Sequence, residues 1–446
     1  VIQISFADGV IQSRANLDEN LRSLLKINQQ RLGIVCEETA ANLCLRELIM
    51  RAAEKYSSKV VVLVDEYDKP ILDNIENPEI AAEVREGIKN VYAVLKGQDA
   101  YLQFVFMTGV TKFSKVSLFS GMNQLNDITL SKAYSTICGY TQNDLETSFA
   151  EHLEGVDWDK LKTWYNGYQF LGEVVHNPFD ILLFLSEEQL YRSYWFETGS
   201  PSFLLKLFKQ KQYFLPELDA IEVSEDVLDS FDVENINPVT LLFQTGYLTI
   251  ARFFENFMGS LSFQLKLPNQ EVRLALSARF IDVYSQQSAE QKYTQQKALG
   301  MALLHGDLAA FQAHITSVFA GIPWRNFTTS EIYGTPLYES EGYYASVLYA
   351  FLASINATII PEDISNRGQA DMTVMIGDYV YVIEIKRDTS EQYDKQQPNP
   401  ALAQILERNY AKKYSQQAQQ GKHIIQLGLV FNTTERNLVA LDACPL

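Results

Sequence analysis

Two acidic residues and a lysine near the end of the sequence have the types and spacing that could bind a cation and act on a phosphate. The segment GQADMTVMIGDYVYVIEIKR, residues 368–387, contains two runs rich in Val, Ile, Tyr, Thr and Met, separated by Gly377-Asp378. Glycine first in a two-residue loop is a strong hairpin signal, and this turn places Asp371 opposite Glu384. Because side chains alternate between the faces of a strand, Glu384 and Lys386 share one face.

The predicted pairing of two carboxylates requires a compensating positive charge. At about 5 Å they repel each other by roughly 3 kcal/mol if the effective dielectric constant is near 20. A divalent cation bound by both, Mg²⁺ or Mn²⁺, would remove the repulsion, and Lys386 could then contact a scissile phosphate or steer the attacking water. The alternative is a hairpin edge with solvated charges. Val380 and Val382 on the same face disfavour it, because only one end of that face is polar.

Asp371, followed by Glu384-x-Lys386 on the next predicted strand, resembles the signature of the PD-(D/E)XK nucleases. That family often has Gly-Arg shortly before the aspartate, whereas this sequence has Gln369 in place of the arginine. The departure weakens the expectation of a phosphate contact at that position and leaves the metal ligands intact.

Two predicted helices extend the resemblance. Residues 339–355 have apolar side chains at helical spacing, with Glu341 in the first turn, where the family places an acidic residue. Residues 401–414 form the second predicted helix, and its Gln404 matches the auxiliary glutamine of the family. The resemblance implies a catalytic set of Asp371, Glu384, Lys386, Glu341 and Gln404, in which Asp371 and Glu384 hold the metal.

A second chemical pattern lies in the first quarter of the sequence, at the end of a predicted buried strand. Residues 59–70, KVVVLVDEYDKP, carry five apolar residues before Asp65-Glu66, which resembles the Walker B pattern of P-loop ATPases. In that pattern Asp65 would hold Mg²⁺ through its water and Glu66 would polarise the attacking water. The next predicted strand, 102–107, is followed by Thr108, at the position where such ATPases place a polar sensor residue. Many buried strands also end in an acid, so the pattern alone does not distinguish a nucleotide site from an ordinary strand end.

The resemblance extends over the whole chain. Its fold class is α/β, and alternating strands and helices predict a parallel, doubly wound sheet in the first part. The sequence is similar to bacterial AAA-ATPase-like proteins that carry a C-terminal PD-(D/E)XK nuclease domain. The segments that carry this similarity, in order, are VVVLVDEYDKPI, 108–130, WYNGYQF, NPFDIL, 194–204, LLFQTGYLTI and LPNQEVR.

The phosphate-binding loop of such ATPases, G-x-x-x-x-G-K-[ST], does not occur in the 446 residues. Its backbone amides and lysine bind the nucleotide phosphates. In the family, the P-loop segment is expected to precede the strand that matches the first strand here. We therefore expect that this segment was lost by truncation or is not covered by the given sequence. The chain as given is expected to bind ATP poorly or not at all, and ATP is expected as a ligand only with the missing P-loop.

Four domains are predicted from these segments. They are an AAA-ATPase-like core over 1–150, a helical and winged-helix-like lid over 151–285, a helical connector over 286–325, and a restriction-endonuclease-like α/β domain over 326–446. The lid prediction rests on residues 241–273, which read as strand, turn, strand and helix. Arg273 in its helix is a candidate sensor of phosphate charge, and a surface arginine in a first helical turn is the favoured alternative.

Composition limits the functions that this chain can have. With 47% hydrophobic and 21% charged residues, it has the composition of a well-packed globular protein, and the net charge of −18 argues against a broad basic face for nucleic acid. Its four cysteines lack the spacing of metal ligands. We expect a cytoplasmic protein without a membrane partner, and homo-oligomerisation is left open.

The favoured hypothesis is an ATPase-regulated, Mg²⁺-dependent nuclease that acts on DNA in preference to RNA at its C-terminal domain. A non-catalytic, ATP-binding regulator or scaffold that retains a nuclease-like fold is the alternative. It is disfavoured because all the acids and the lysine of the signature are present. A plain ATP-dependent signalling switch does not account for the carboxylate pair.

Overall fold

The computed structural model describes residues 1–111, 125–195, 218, 221–229, 237–285, 288–322, 340–355 and 357–446. Much of the sequence segments 108–130 and 194–204 therefore lies outside the described residues. The chain divides into two compact units, of which the first comprises 1–135, 223–248 and 252–263, and the second comprises 136–222, 249–251 and 264–446. The four predicted domain boundaries remain predictions.

The first 107 residues form a parallel sheet covered by helices. Its elements are β1 (Ile2–Ser5), α1 (Arg14–Leu32), α2 (Ala41–Tyr56), β2 (Val60–Asp65), α3 (Lys69–Leu72), α4 (Pro78–Lys96) and β3 (Leu102–Met107). The strand order is β1-β2-β3 and both pairings are parallel, as predicted. Because this order follows the chain without reversal in the part that the structure describes, the doubly wound arrangement remains a prediction.

Helix α1 illustrates how the sequence builds this layer. Ser13 caps its first turn by accepting a hydrogen bond from the Asn16 amide at 3.2 Å, and Gly33 ends it with a left-handed φ of 60°. Between these caps, Leu17, Leu21 and Leu25 are spaced four residues apart and buried on one face. The three long helices pack on one another, and α1 and α2 also contact the strands β1 and β2.

The middle of the chain is mainly helical. Its elements are α5 (Gln142–Ser148), α6 (Trp158–Tyr165), α7 (Pro178–Ser186), β4 (Ile221–Ser224), α8 (Glu225–Asp229), α9 (Pro238–Gln244), β5 (Thr249–Glu255), β6 (Leu261–Lys266), α10 (Gln270–Ser285), α11 (Ala289–Leu304) and α12 (Leu308–Ala320). Strands β4, β6 and β5 form a sheet in that order. Helices α11 and α12 lie within the segment predicted as a helical connector, and its role as a separate domain remains a prediction. Pro323 of the predicted boundary lies outside the described residues.

One predicted strand of this region is wrong in its first half. Residues 241–244, expected to be extended, belong to helix α9. Asn237 caps that helix by accepting from the Val239 amide at 2.9 Å, and Pro238 occupies the first helical position. This start signal precedes the apolar run LLF, and the strand begins only at Thr249, after a left-handed Gly246. The winged-helix-like lid remains a prediction.

The C-terminal region is a five-stranded mixed sheet between helices. Its elements are α13 (Glu341–Ala353), β7 (Thr358–Ser365), β8 (Gly368–Ile376), β9 (Tyr379–Asp388), α14 (Pro400–Arg408), a 3₁₀ helix (Tyr410–Tyr414), α15 (Ser415–Gln419), β10 (His423–Asn432) and β11 (Asn437–Pro445). The strand order is β11-β10-β9-β8-β7. Only β9 and β10 pair in parallel, and the other neighbours are antiparallel.

Strand β9 is central and buried on both faces. Val380 and Val382 join a core with Ile405 of α14 and Tyr410 of the 3₁₀ helix. On the other face, the Tyr381 hydroxyl donates to the Leu303 carbonyl of α11 at 2.6 Å. The β8–β9 hairpin has the predicted register, since Ile376 lies opposite Tyr379 and Met372 opposite Ile383. The turn is made by Gly377 with a left-handed φ of 55°, which explains why glycine stands there.

Candidate functional site

The C-terminal end of β9 and the start of α13 bring the carboxylates of Glu384 and Glu341 to the amine of Lys386. The Lys386 Nζ donates to Glu384 Oε1 at 2.8 Å and to Glu341 Oε1 at 3.2 Å. Glu384 and Lys386 are adjacent on one face because they are two residues apart in a strand, as predicted. Glu341 is in the first turn of α13, again as predicted. The lysine therefore links the sheet to the helix that covers it.

Asp371 lies at the point where β8 separates from β9. Regular pairing of these strands ends at Met372, and the Asp371 Oδ2 accepts instead from the Ile385 amide at 2.6 Å. The preceding strand is irregular at the same level, because Glu362 has a left-handed φ of 43°. The carboxylate of Asp371 is thereby held against the backbone between Glu384 and Lys386, a detail that the hairpin prediction did not contain.

Gln404 joins the cluster from the opposite helix. Its Nε2 donates to Glu384 Oε1 and, at 3.3 Å, to the Tyr410 hydroxyl oxygen. The predicted helix 401–414 is wrong in its length, since α14 ends at Arg408 and Asn409 turns left-handed with φ 54°. That turn lets the 3₁₀ helix carry Tyr410 back toward Gln404. Tyr410 is a contributor that sequence reasoning missed.

The position of α14 is set by two residues with no chemical role. The Asn399 Oδ1 caps the helix by accepting from the backbone amides of Ala401 and Leu402 at 2.9 and 3.1 Å. The Asn399 Nδ2 donates to the Gly428 carbonyl at 3.0 Å. A Cβ at Gly428 would lie 2.3 Å from the Leu402 backbone nitrogen. Only glycine therefore allows α14 to approach β10 closely enough for Gln404 to reach Glu384.

The donor set fits a hard divalent cation. Glu384 is only 2% exposed, and its Oε2 has no hydrogen-bond partner among the described residues. A buried carboxylate oxygen without a partner is costly, and a cation would satisfy it. Among the described residues no group of three or more His, Cys, Asp or Glu side chains is placed to hold a metal ion. Mg²⁺ is commonly bound through one or two carboxylates with water and phosphate oxygens, so Asp371 and Glu384 suffice in type and number.

The electrostatics agree with two acids crowded into one place. Burial, and then the charge of Glu384, raises the pKa of Asp371 to about 7. Burial also raises the pKa of Glu384, although the hydrogen bond and the charge of Lys386 oppose that shift. For Lys386, burial lowers the pKa, but the hydrogen bond and charge of Glu384 outweigh it and the net shift is upward. Protonation of Asp371 in the absence of a cation therefore relieves the repulsion.

The predicted nucleotide-binding residues of the first unit lie together at the ends of β2 and β3. The Thr108 Oγ1 donates to Asp65 Oδ1 at 2.7 Å. Glu66 has a left-handed φ of 53°, which is uncommon for a residue with a side chain. Burial, and then Asp65, raises the pKa of Glu66. The two acids and the threonine thus have the arrangement that the sequence predicts, and their role in nucleotide binding remains a prediction.

Asp68, which the sequence analysis did not select, organises this strand end. It is fully buried, and its carboxylate accepts from the Val110 amide at 3.2 Å and from the Thr111 Oγ1 at 2.7 Å, as well as from the Thr111 amide. A Cβ at Gly109 would lie 2.4 Å from the Asp68 Oδ1, so glycine is required at this approach. The sequence D-E-Y-D could have indicated Asp68 as a third acid, but nothing in the sequence shows that its side chain points inward.

Arg273 has a contact that does not indicate a sensor. Its Nη1 donates to the Tyr349 hydroxyl of α13 at 3.2 Å, within the second unit, whereas Asp65, Glu66 and Thr108 belong to the first unit. Helices α10 and α13 pack against each other around this contact. Its predicted role in sensing phosphate charge remains a prediction. In the part of the chain that the structure describes, no helix is both long and apolar enough to cross a membrane.

Comparisons with known proteins match the N-terminal and the C-terminal region each to a protein family. Residues 1–119 match the family described as predicted AAA-ATPase, and residues 339–440 match the PD-(D/E)XK nuclease superfamily. The chain is 40% identical over 442 residues to an Azotobacter chroococcum mcd 1 protein described as "Uncharacterized protein in vnfD 5'region", an alignment that covers 98% of this chain and 82% of that protein. No solved structure matches the chain. The chain belongs to the family of AAA-ATPase-like proteins that carry a C-terminal PD-(D/E)XK nuclease domain.

Proposed function

We propose that this chain is a divalent-cation-dependent nuclease whose C-terminal domain hydrolyses phosphodiester bonds, in DNA in preference to RNA. The observation that carries the proposal is the convergence of Asp371, Glu384, Lys386, Glu341 and Gln404 from β8, β9, α13 and α14. Elements far apart in sequence supply this one cluster. A non-catalytic scaffold has no physical need to keep a buried Glu384 beside a half-buried Asp371.

Each residue has a distinct role in the proposal. Asp371 and Glu384 would hold Mg²⁺ or Mn²⁺, which when bound stabilises the negative charge that develops on the phosphodiester. Lys386 opposes the upward pKa shift of Glu384 and holds its carboxylate in place, and it would contact the phosphate or orient the attacking water. Glu341 holds the lysine from the helix side, and Gln404 fixes the rotamer of Glu384 from the other side.

The first unit would regulate this site. Asp65 would hold a nucleotide-bound Mg²⁺ through water, Glu66 would polarise water and Thr108 would respond to the phosphate, while Arg273 remains a candidate sensor. The supporting observation is the Thr108–Asp65 hydrogen bond next to the strained Glu66. Because the sequence has no G-x-x-x-x-G-K-[ST] segment, ATP enters this proposal only for a protein that carries one. Titration of this chain with ATP is expected to give negligible affinity.

The test is cleavage of labelled DNA and RNA in Mg²⁺ or Mn²⁺ by the wild-type chain and by Glu384→Gln. Glutamine keeps the size of the side chain and its acceptor for Lys386, so the fold should survive while the cation site loses its charge. Glu391→Gln is the matched control, because Glu391 is exposed in the loop after β9. We expect metal-dependent cleavage that is lost only in Glu384→Gln. Absence of cleavage of any nucleic acid in either metal would favour the scaffold.

A further inference from the structure

Beside the acidic cluster, the C-terminal region has a groove for which the proposed catalytic roles give no use. It has a volume of about 680 Å³ and lies between the β7–β8 turn with the start of β8, on one side, and α14 with Tyr410, on the other. Its polar lining consists of Arg367, Gln369, Gln404, Glu407, Arg408 and Tyr410. The groove is thus open to solvent on one side and reaches the cluster through Gln404.

The geometry points to a subsite for the phosphodiester backbone of a nucleic-acid strand, in which Arg367 and Arg408 contact the phosphates next to the one that is cleaved. This inference rests on the proposed nuclease function and extends it to substrate positioning. Both guanidinium groups are exposed, and within the described part of the chain neither forms an ion pair. The groove lining carries these two arginines and one acid, Glu407, so its formal charge is positive in a chain with a net charge of −18.

The groove is continuous with the reacting groups. Gln404 lines it and donates to Glu384 Oε1, so one side chain separates the groove from the proposed cation ligand. Gln369, on the opposite wall, precedes Asp371 by two residues on β8. A nucleic-acid strand that passes over both walls would therefore bring its next phosphate to the carboxylate pair. The guanidinium groups of the two arginines can each donate two hydrogen bonds to phosphate oxygens in the groove.

The walls are built to stay open and fixed. A Cβ at Gly368 would lie 3.1 Å from the Tyr410 hydroxyl, and its φ of 135° disfavours any other residue. Tyr410 is 4% exposed and is held by the hydrogen bond from Gln404. The Arg367 amide donates to the Ser365 Oγ at 3.2 Å, which fixes the backbone of the turn that carries this arginine. The backbone of the turn that carries Arg367 is thus held in place, as a positioning site requires, and Arg408 is the last residue of α14.

The experiment measures binding separately from cleavage. Fluorescence anisotropy of labelled DNA and RNA oligonucleotides is recorded against salt concentration for Glu384→Gln, alone and combined with Arg367→Gln/Arg408→Gln. The charge-matched control is Arg22→Gln/Arg46→Gln, two exposed arginines of the first unit. A second variant, Arg367→Lys/Arg408→Lys, restores the charge, and circular dichroism checks the fold of each protein.

We expect the double glutamine variant to bind every sequence more weakly, with a salt slope that is shallower by about 1 for each arginine. In the cleavage-competent background, KM should rise while kcat is retained. The lysine variant should recover most of the binding, and the control should match the parent. DNA and RNA titrations distinguish which strand the groove accepts.

Three results are separable. Unchanged affinity and slope in the glutamine variant, with cleavage intact, would overturn the groove and leave the nuclease proposal standing. Arginine-dependent binding without cleavage in any metal would support the groove and remove the nuclease proposal. No oligonucleotide binding by the parent protein would overturn the groove directly.

Discussion

Replacement of Asp371 by asparagine should stabilise the protein at alkaline pH while it removes the proposed cation site. Asparagine retains an oxygen that can accept from the Ile385 amide, so the hydrogen bond at 2.6 Å is kept and only the charge is lost. In the wild-type chain the pKa of Asp371 is raised from 3.8 to about 7 by burial and by Glu384. The wild-type chain therefore carries a half-buried carboxylate that asparagine eliminates.

The magnitude follows from proton linkage. Between about pH 4, where this carboxyl ionises in the unfolded chain, and about pH 7, where it ionises in the folded chain, the folded state binds more protons. The free energy of unfolding therefore falls as the pH rises through that window. A full shift of this size corresponds to ~4 kcal/mol, and solvent screening of a partly exposed carboxyl reduces it to about 2 kcal/mol. The Asp371→Asn variant has no carboxyl at this position, so its free energy of unfolding does not fall for this reason as the pH rises.

The assay is urea unfolding followed by tryptophan fluorescence at pH 5 and pH 8, without divalent cations. Three of the four tryptophans, at positions 158, 164 and 195, lie in the described part of the second unit, which also contains Asp371. The advantage of Asp371→Asn over wild type should grow by roughly 1–2 kcal/mol from pH 5 to pH 8. Asp378→Asn is the matched control, because Asp378 is an exposed acid at the turn of the same hairpin.

Added Mn²⁺ should reverse the ranking. At pH 8 it should stabilise the wild-type chain by mass action and leave Asp371→Asn unaffected. The reasoning is refuted if Asp371→Asn has the same advantage at both pH values, or if it is less stable than wild type at pH 8 without metal. A shift of equal size in Asp378→Asn would show that the effect comes from the net charge of the protein rather than from the pair Asp371 and Glu384.

Three further changes test other parts of the structure. Gly428→Ala should destabilise the second unit by about 1–3 kcal/mol and lower cleavage, because its Cβ would meet the Leu402 backbone at 2.3 Å and displace α14; urea unfolding and cleavage assays measure both. Thr111→Val removes the donor to Asp68 at 2.7 Å and should cost about 1–2 kcal/mol, seen as faster amide exchange in β2 and β3. His176 is buried with its pKa lowered to about 4 by burial, so wild-type stability should fall as the pH drops from about 6.5 to 4, and His176→Gln should flatten this dependence in urea titrations.

Each of these has a contradicting outcome. Normal cleavage and stability in Gly428→Ala would mean that α14 does not need its close approach to β10. Unchanged exchange in Thr111→Val would remove Asp68 from the support of the strand ends. An equally steep acid dependence in His176→Gln would assign the acid sensitivity to other groups.

The C-terminal hairpin could be predicted because its determinants are local. A glycine at a two-residue turn sets the register, and strand alternation then places Glu384 and Lys386 on one face. The acidic residue at the start of α13 and the glutamine of α14 came from the family resemblance. Their hydrogen bonds to Lys386 and Glu384 depend on how helices pack on the sheet, which a short stretch of sequence does not encode.

The features that sequence reasoning missed depend on contacts between distant segments. Asp371 leaves the regular pairing because β7 and β8 are irregular at Glu362, and no residue type announces this. Asp68 is buried because the segment after β3 folds over it. Local signals were overlooked as well, since Asn237-Pro238 starts a helix where an apolar run suggested a strand, and Asn409 ends one that periodicity alone would continue.

The most direct test of the account is a crystal structure of this protein soaked with Mn²⁺, examined by anomalous scattering. We predict one strong peak coordinated by Asp371 and by the Glu384 Oε2 that lacks a partner among the described residues, with Lys386 still beside it. The same soak of Glu384→Gln should show no peak there. Density at other residues only, or no peak in the wild-type crystal, would contradict the assignment of these two carboxylates as the cation site.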